Sequence, residues 1–240
     1  LGEINLSSID NKYKELFGKK EDFSAVLQNF YINDDGGFSI ILEGVKTVVS
    51  ERGSYNSSTG YSSSRTSYQY YLTDIGVINY NVAGNITTTA LVPKSQYLTP
   101  TMMSGIDLSK IATTLYHYKR DFTAQQLHSG NQYKSFAYLN GKTKNYILLN
   151  EIQDNEEKIQ KGKLTTIKSV SDCDGFSFET NTSTILPSRK MIFKKGDKKD
   201  NNLGIFTISD YNREANIYAT LKLEVDGRDK KVRIVWMTPE

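Results

Sequence analysis

The sequence predicts an all-β protein whose strands follow one another as antiparallel hairpins. Three observations carry this. Short runs of β-branched and aromatic residues recur along the chain. The breaks between them hold Gly, Asn or Asp, which reach the positive backbone angles of tight turns. The C-terminal stretch alternates apolar and charged residues with period two. A chain of 240 residues is long enough to bury a sizeable core, and β-sandwiches and barrels of this length form one domain, so residues 1–240 are expected to be a single β domain.

The first element departs from the β pattern. In residues 8–17, Ile9, Tyr13, Leu16 and Phe17 recur at helical spacing and Gly18 stops the run, which predicts a short N-terminal helix or turn. The turn Asn33-Asp34-Asp35-Gly36 then leads into a strand over 37–44. Residues 54–67 are rich in Ser, Tyr and Gly and too poor in aliphatic residues to join a core, so they predict an extended hairpin arm or loop. Strands follow over 68–80 and 86–92, separated by Asn81-Val82-Ala83-Gly84-Asn85. Pro100, Gly105 and Asp107 mark residues 97–110 as a loop. Two further strands, 132–139 and 146–152, flank the turn Asn140-Gly141, and the charged segment 154–163 reads as a surface turn of helix or a loop. The cleanest hairpin is the last: Leu221-Lys222-Leu223-Glu224-Val225 turns at Asp226-Gly227 and resumes at Val232-Arg233-Ile234-Val235-Trp236. Its period-two alternation implies one buried face, and Trp236, sharing a face with Ile234 and Val232, is expected in the core.

The order of features from Asn33 to Gln96 also carries a resemblance. Asp35-Gly36-Gly37-Phe38 opens a strand ending in Glu43-Gly44; Tyr70-Tyr71-Leu72-Thr73-Asp74-Ile75-Gly76-Val77 follows, then the turn at Asn81–Asn85 and Ile86. This resembles the blade pattern of propeller-like DGGF-repeat proteins exported by Gram-negative, gut-type bacteria. Weaker echoes lie at Asp172-Cys173-Asp174-Gly175-Phe176, with one Gly missing, and at Gly204–Asp210. Thr87, Thr88 and Thr89 replace the aromatic residue of that pattern. The resemblance implies an irregular propeller-like array of antiparallel meanders. A four-stranded blade takes roughly 40–50 residues, which makes about five blades; a β-sandwich is the alternative. It also implies export, to the periplasm, the cell surface or the medium. A start at Leu1-Gly2-Glu3 fits removal of a leader or anchor segment, and fits a tag remnant equally well.

Composition narrows the function classes. The 30 basic and 27 acidic residues nearly cancel, leaving +3, so no strong field for nucleic acid or an anionic membrane is implied. Lys194, Lys195, Lys198 and Lys199 cluster among Gly, Asp and Asn, as at a solvated hairpin tip. No apolar run approaches the roughly 18 residues of a membrane span. Cys173 is the one cysteine, so no intrachain disulfide can form. Asp172 and Asp174 beside it would raise its thiol pKa, which suits a structural residue rather than a nucleophile.

The catalytic inventory is thin. His117 and His128 are the two histidines, and eleven residues of separation, even with Asp121 nearby, match no standard zinc spacing. The Gly-x-Ser-x-Gly elbow and the phosphate-binding glycine loops are absent. Asp34, Asp35, Glu43 and Asp74 are the carboxylates from which a hydrolytic pair could be drawn, although turn chemistry already accounts for the first two. Acidic loops such as 33–36 and 197–200 do not follow the calcium-loop pattern. No metal or cofactor is therefore expected. The recognition surface read from the sequence is aromatic: Tyr61, Arg65, Tyr68 and Tyr70, in or beside the Ser-rich arm, combine rigid contact area with adaptable hydrogen bonding. The expected function is a non-catalytic binding or interaction module of the cell envelope, with a glycan or an envelope protein as partner. The alternative is a glycoside hydrolase-like enzyme using loop carboxylates.

Overall fold

The computed structural model describes residues 6–18, 23–98, 131–134, 136–169, 173–193, 200–226 and 229–239. The fold is mostly antiparallel β, in three sheets, with none closed into a barrel. The first sheet runs β1 (Ala25–Ile32), β2 (Phe38–Asn56), β3 (Tyr61–Tyr80) and β4 (Ile86–Val92), with β5 (Gln96–Leu98) also on β3. The second runs β6 (Ala137–Asn140), β7 (Asn145–Ile152), β8 (Cys173–Glu179) and β9 (Arg189–Met191). The third runs β10 (Asp200–Asn212), β11 (Ile217–Asp226) and β12 (Asp229–Met237). Among the described residues, two α-helices, α1 (Ser7–Phe17) and α2 (Asn155–Ile159), and a single 3-10 turn at Asn131–Lys134 complete the regular structure; that turn stands where the sequence predicts the start of a strand over 132–139, and the strand itself begins at Ala137.

The layers follow from which face each strand buries. Along β2, Ile40 and Leu42 point to one side with Ile78 and Leu91, where Ile9 of α1 covers them. Ile41 points to the other side with Ile75, Val77, Ala90 and Val92, and meets Tyr138, Ile147, Leu149, Phe176 and Phe178 of the second sheet. The unbroken apolar run Ile40-Ile41-Leu42 is thus a strand buried on both faces. β7 repeats the logic: Ile147 and Leu149 face the first sheet, while Leu148, with Ala137 and Leu139, packs on Phe193, Phe206 and Tyr218 toward the third. The result is a stack in which α1 covers the first sheet and the second sheet lies between the other two. Asn150 fastens the second sheet to the third. Its side-chain amide donates to Gly204 O (2.7 Å) and its Oδ1 accepts from Gly204 N–H (2.8 Å), the way one strand pairs with another.

Helix α1 ends at Gly18, whose left-handed backbone (φ 62°) lets its N–H close on Lys14 O at 2.8 Å. Its close seat on the sheet depends on Gly76. A Cβ there would lie 2.5 Å from Ile9 Cδ1 and 3.1 Å from the Phe23 ring. Asp10 then holds the returning chain, its Oδ1 accepting the Phe23 N–H at 2.7 Å.

The Ser-rich stretch forms the outer part of a two-stranded ribbon, with β2 and β3 paired from Val45↔Leu72 out to Asn56↔Tyr61. Its described serines are exposed, and backbone pairing is joined by hydroxyl contacts across the ribbon, Ser54 with Ser63 at 2.7 Å and Ser67 donating to Ser50 O at 3.3 Å. The C-terminal hairpin pairs Leu223↔Val232 and Leu221↔Ile234 as alternation requires. Trp236 is not in the core, however. It is 68 % exposed, and Val232 and Ile234 are exposed beside it. The side of β12 that packs inward carries Val235 and Met237, against Phe206 and Tyr218. No helix among the described residues is long and apolar enough to cross a membrane.

Candidate functional site

The first sheet bends where β2 passes Gly44. The β2–β3 register shifts between Glu43 and Val45, and β3 exchanges partners, from β4 at Ile75 to β5 at Leu72. Bulges of this kind re-aim side chains and interrupt pairing. Here they bring together Glu43 on β2, Asp74 on β3 and Lys94 in the link from β4 to β5. Lys94 is 1 % exposed and Glu43 is 4 % exposed, and the ammonium is ion-paired with the Glu43 carboxylate. The Lys94 backbone N–H donates to Asp74 Oδ1 at 3.0 Å, and the ammonium also sits 5.5 Å from the centre of the Phe136 ring. The pair is desolvated and lies among apolar side chains, so each charge depends on the other.

This group underlies a cleft of about 820 Å³ between α1 and the bent sheet. Tyr13 and Phe17 of α1 and Phe23 make an aromatic wall. Asp74, Lys94, Thr73 and Ser95 supply polar floor, and the exposed Lys46 and Lys163 also line the cleft. Neither of these exposed lysines has an ion-pair partner among the described residues. Asp74 is the one carboxylate among the lining residues, because Glu43 is turned inward onto Lys94. An aromatic wall, a few fixed polar groups and this volume are the usual makings of a small-ligand site.

A further ionisable residue is buried in the second sheet. Glu151 on β7 has no solvent exposure, and burial pushes its pKa up to about 7. The Ile152 N–H and the Asn155 side chain, each donating at 2.7 Å, and the charges of Arg189 and Lys94 pull the other way. Its Oε2 has no hydrogen-bond partner. Arg189 lies 3.7 Å over the Phe176 ring and donates to the carbonyls of Ile152 and Gln153. It borders a smaller cleft of about 280 Å³ with Glu156 and Pro187.

The residues named from the sequence fall differently. Tyr61, Arg65, Tyr68 and Tyr70 all lie on β3, paired with Asn56, Arg52, Val49 and Thr47 of β2, and their side chains are outside the described part of the structure. His117, His128, Asp121 and the lysines at 194–199 lie outside the described residues. Cys173 is fully buried beside Leu203 and Leu223, and among the described residues no three His, Cys, Asp or Glu side chains gather as a metal site would need. Of the four candidate carboxylates, Asp34 is exposed and ion-paired with Arg213, and Asp35 accepts the Gly37 N–H within its turn. Glu43 and Asp74 come together. Lys94, which completes the group, was not singled out by the sequence; the signal available was a charge closing each of two apolar strands, Ile40-Ile41-Leu42-Glu43 and Leu91-Val92-Pro93-Lys94. Comparison with known proteins gave no match: no family model, no curated protein and no solved structure is similar to the chain.

Proposed function

We propose that this chain is a non-catalytic binding module of the cell envelope, and that it holds an acidic glycan in the cleft beneath α1. The observation that carries the reading is the composition of the cleft. Tyr13 and Phe17, tilted 52° to one another, offer aromatic surface for a sugar to pack on, with Phe23 buried beside them, hydroxyls line the floor, and Lys46 and Lys163, without ion-pair partners among the described residues, stand at the rim. Among the described lining residues one carboxylate, Asp74, faces the cleft, whereas glycoside hydrolysis uses a pair flanking the bond to be cut, which supports binding over the hydrolase-like alternative. Placement in the envelope rests on the resemblance of the Asp35-Gly36-Gly37-Phe38 pattern, and fractionation of the source cells tests it.

On architecture, sheets that share cores face to face favour packed meanders, the sandwich-like alternative, over five blades about an axis. The Tyr61, Arg65, Tyr68 and Tyr70 ribbon belongs to this reading as a second contact surface, for an envelope protein.

The deciding experiment incubates the protein with polygalacturonate and with dextran, following both the thermal midpoint and the release of reducing ends. A midpoint that rises with polygalacturonate, falls back with added salt and comes with no new reducing ends supports the reading. Reducing ends accumulating with time would overturn it in favour of the hydrolase.

A further inference from the structure

β12 ends its sheet, and β11 is the one described element with which it makes an extended contact. Among the described residues its outer edge is therefore free, so about every second residue of the nine presents its N–H and C=O outward, and Val232 (59 % exposed), Ile234 (58 %) and Trp236 (68 %) stand in a row on one face. Natural proteins usually blunt such an edge, because it templates pairing with another chain. We infer that this edge pairs with the same edge of a second copy of the chain, antiparallel about a two-fold axis through Ile234.

The sequence of β12 selects both the occupant and the register. Pairing about a two-fold axis perpendicular to the sheet sets one residue opposite itself and every other residue opposite its mirror position. Centred on Ile234, the register sets Ile234 against Ile234 of the copy and Val232 against Trp236, so the whole exposed row meets itself. On the other face, Lys231 falls opposite Met237 and Arg233 opposite Val235. No cation faces a cation, and Arg233 stays tied to Glu224 of its own β11 at 2.8 Å. Centring on Arg233 would oppose two guanidiniums at the axis, which is destabilising. Centring on Val235 would leave Val232 opposite Thr238 and run Lys231 into Pro239, which has no N–H to give. The exposed apolar row is symmetric about the one residue at which the charges also avoid each other. Two copies joined this way make a continuous six-stranded sheet. An edge contact of this size belongs to the small interface class, so a dissociation constant on the order of micromolar is expected.

Sedimentation of the purified chain across a roughly hundredfold concentration range around that value tests association. Cross-linking under mild oxidation tests the register. Directly opposed strand residues have Cα atoms about 4.5–5.5 Å apart, within disulfide range, whereas positions 232 of the two copies would be roughly 13 Å apart. The exposed Ile234→Cys variant is therefore expected to form a covalent dimer and Val232→Cys to form no covalent cross-link, with buried Cys173 taking no part. Ile234→Lys, which sets two ammoniums at the axis, is expected to weaken association at least about tenfold while leaving the monomer folded. A chain that stays monomeric throughout with no cross-link from Ile234→Cys, or equal cross-linking of the two cysteine variants, overturns the inference.

Discussion

Glu151 sets the clearest pH dependence at the scale of single residues. Its carboxyl keeps a proton in the folded state up to about pH 7, while the unfolded chain releases it near 4.5. Between those values the folded state binds more protons than the unfolded one, so stability from this group is greatest below about 4.5 and falls as pH rises to about 7. The loss amounts to about 3 kcal/mol. Glu151→Gln removes the titration, so its urea midpoint should change much less than the wild type's between pH 5 and 7. An unchanged slope would show that other groups carry the dependence. Lys94 and Glu43 make the opposite case, two charges that hold each other. Lys94→Met strands a buried carboxylate and should cost about 3–5 kcal/mol in chemical denaturation, while Lys94→Met with Glu43→Leu should recover most of it. Failure of the double variant to recover would mean that the pair does more than neutralise itself. Glu43 and Asp74 were named in the sequence among the four carboxylates from which a hydrolytic pair could be drawn, with nothing there to show that Glu43 would pair with a buried lysine. Lys94 was not, because Pro93-Lys94-Ser95 reads as a surface turn until the bend in the first sheet closes around it.

Elements were legible where local chemistry decides them. The spacing of Ile9, Tyr13, Leu16 and Phe17 and the stop at Gly18 mark α1, and the final hairpin follows from alternation. Alternation identifies two faces without saying which one another layer will cover, and Trp236 shows the consequence: its neighbours in sequence were right and its exposure was not. Gly76 was likewise invisible as a contact, since the helix it admits lies more than sixty residues earlier in the chain. Gly76→Ala should force Ile9 and Phe23 to move and cost about 1–3 kcal/mol, read as a lower thermal midpoint. Because Phe23 lines the cleft, the same variant should bind polygalacturonate more weakly. A midpoint equal to wild type would mean that α1 sits further from the sheet than described.

At the scale of the whole molecule, burial on both faces was written in the runs Ile40-Ile41-Leu42 and Ile147-Leu148-Leu149, which have no polar side to spare. The order of the layers was not written there, because it depends on long-range partners such as Asn150 and Gly204, 54 residues apart. The cleft is a product of this assembly: α1 supplies the wall, the bend at Gly44 supplies the floor, and residues 162–164 supply part of the rim. Ser24 lies on the lining and is exposed, so it can be enlarged without entering the core. The most direct measurement is calorimetric titration of polygalacturonate into the wild type and into Ser24→Trp, after both are checked for equal thermal midpoints. The account predicts saturable binding to the wild type and at least about tenfold weaker binding to the blocked variant. Equal binding to both would contradict it, by moving the ligand away from the cleft.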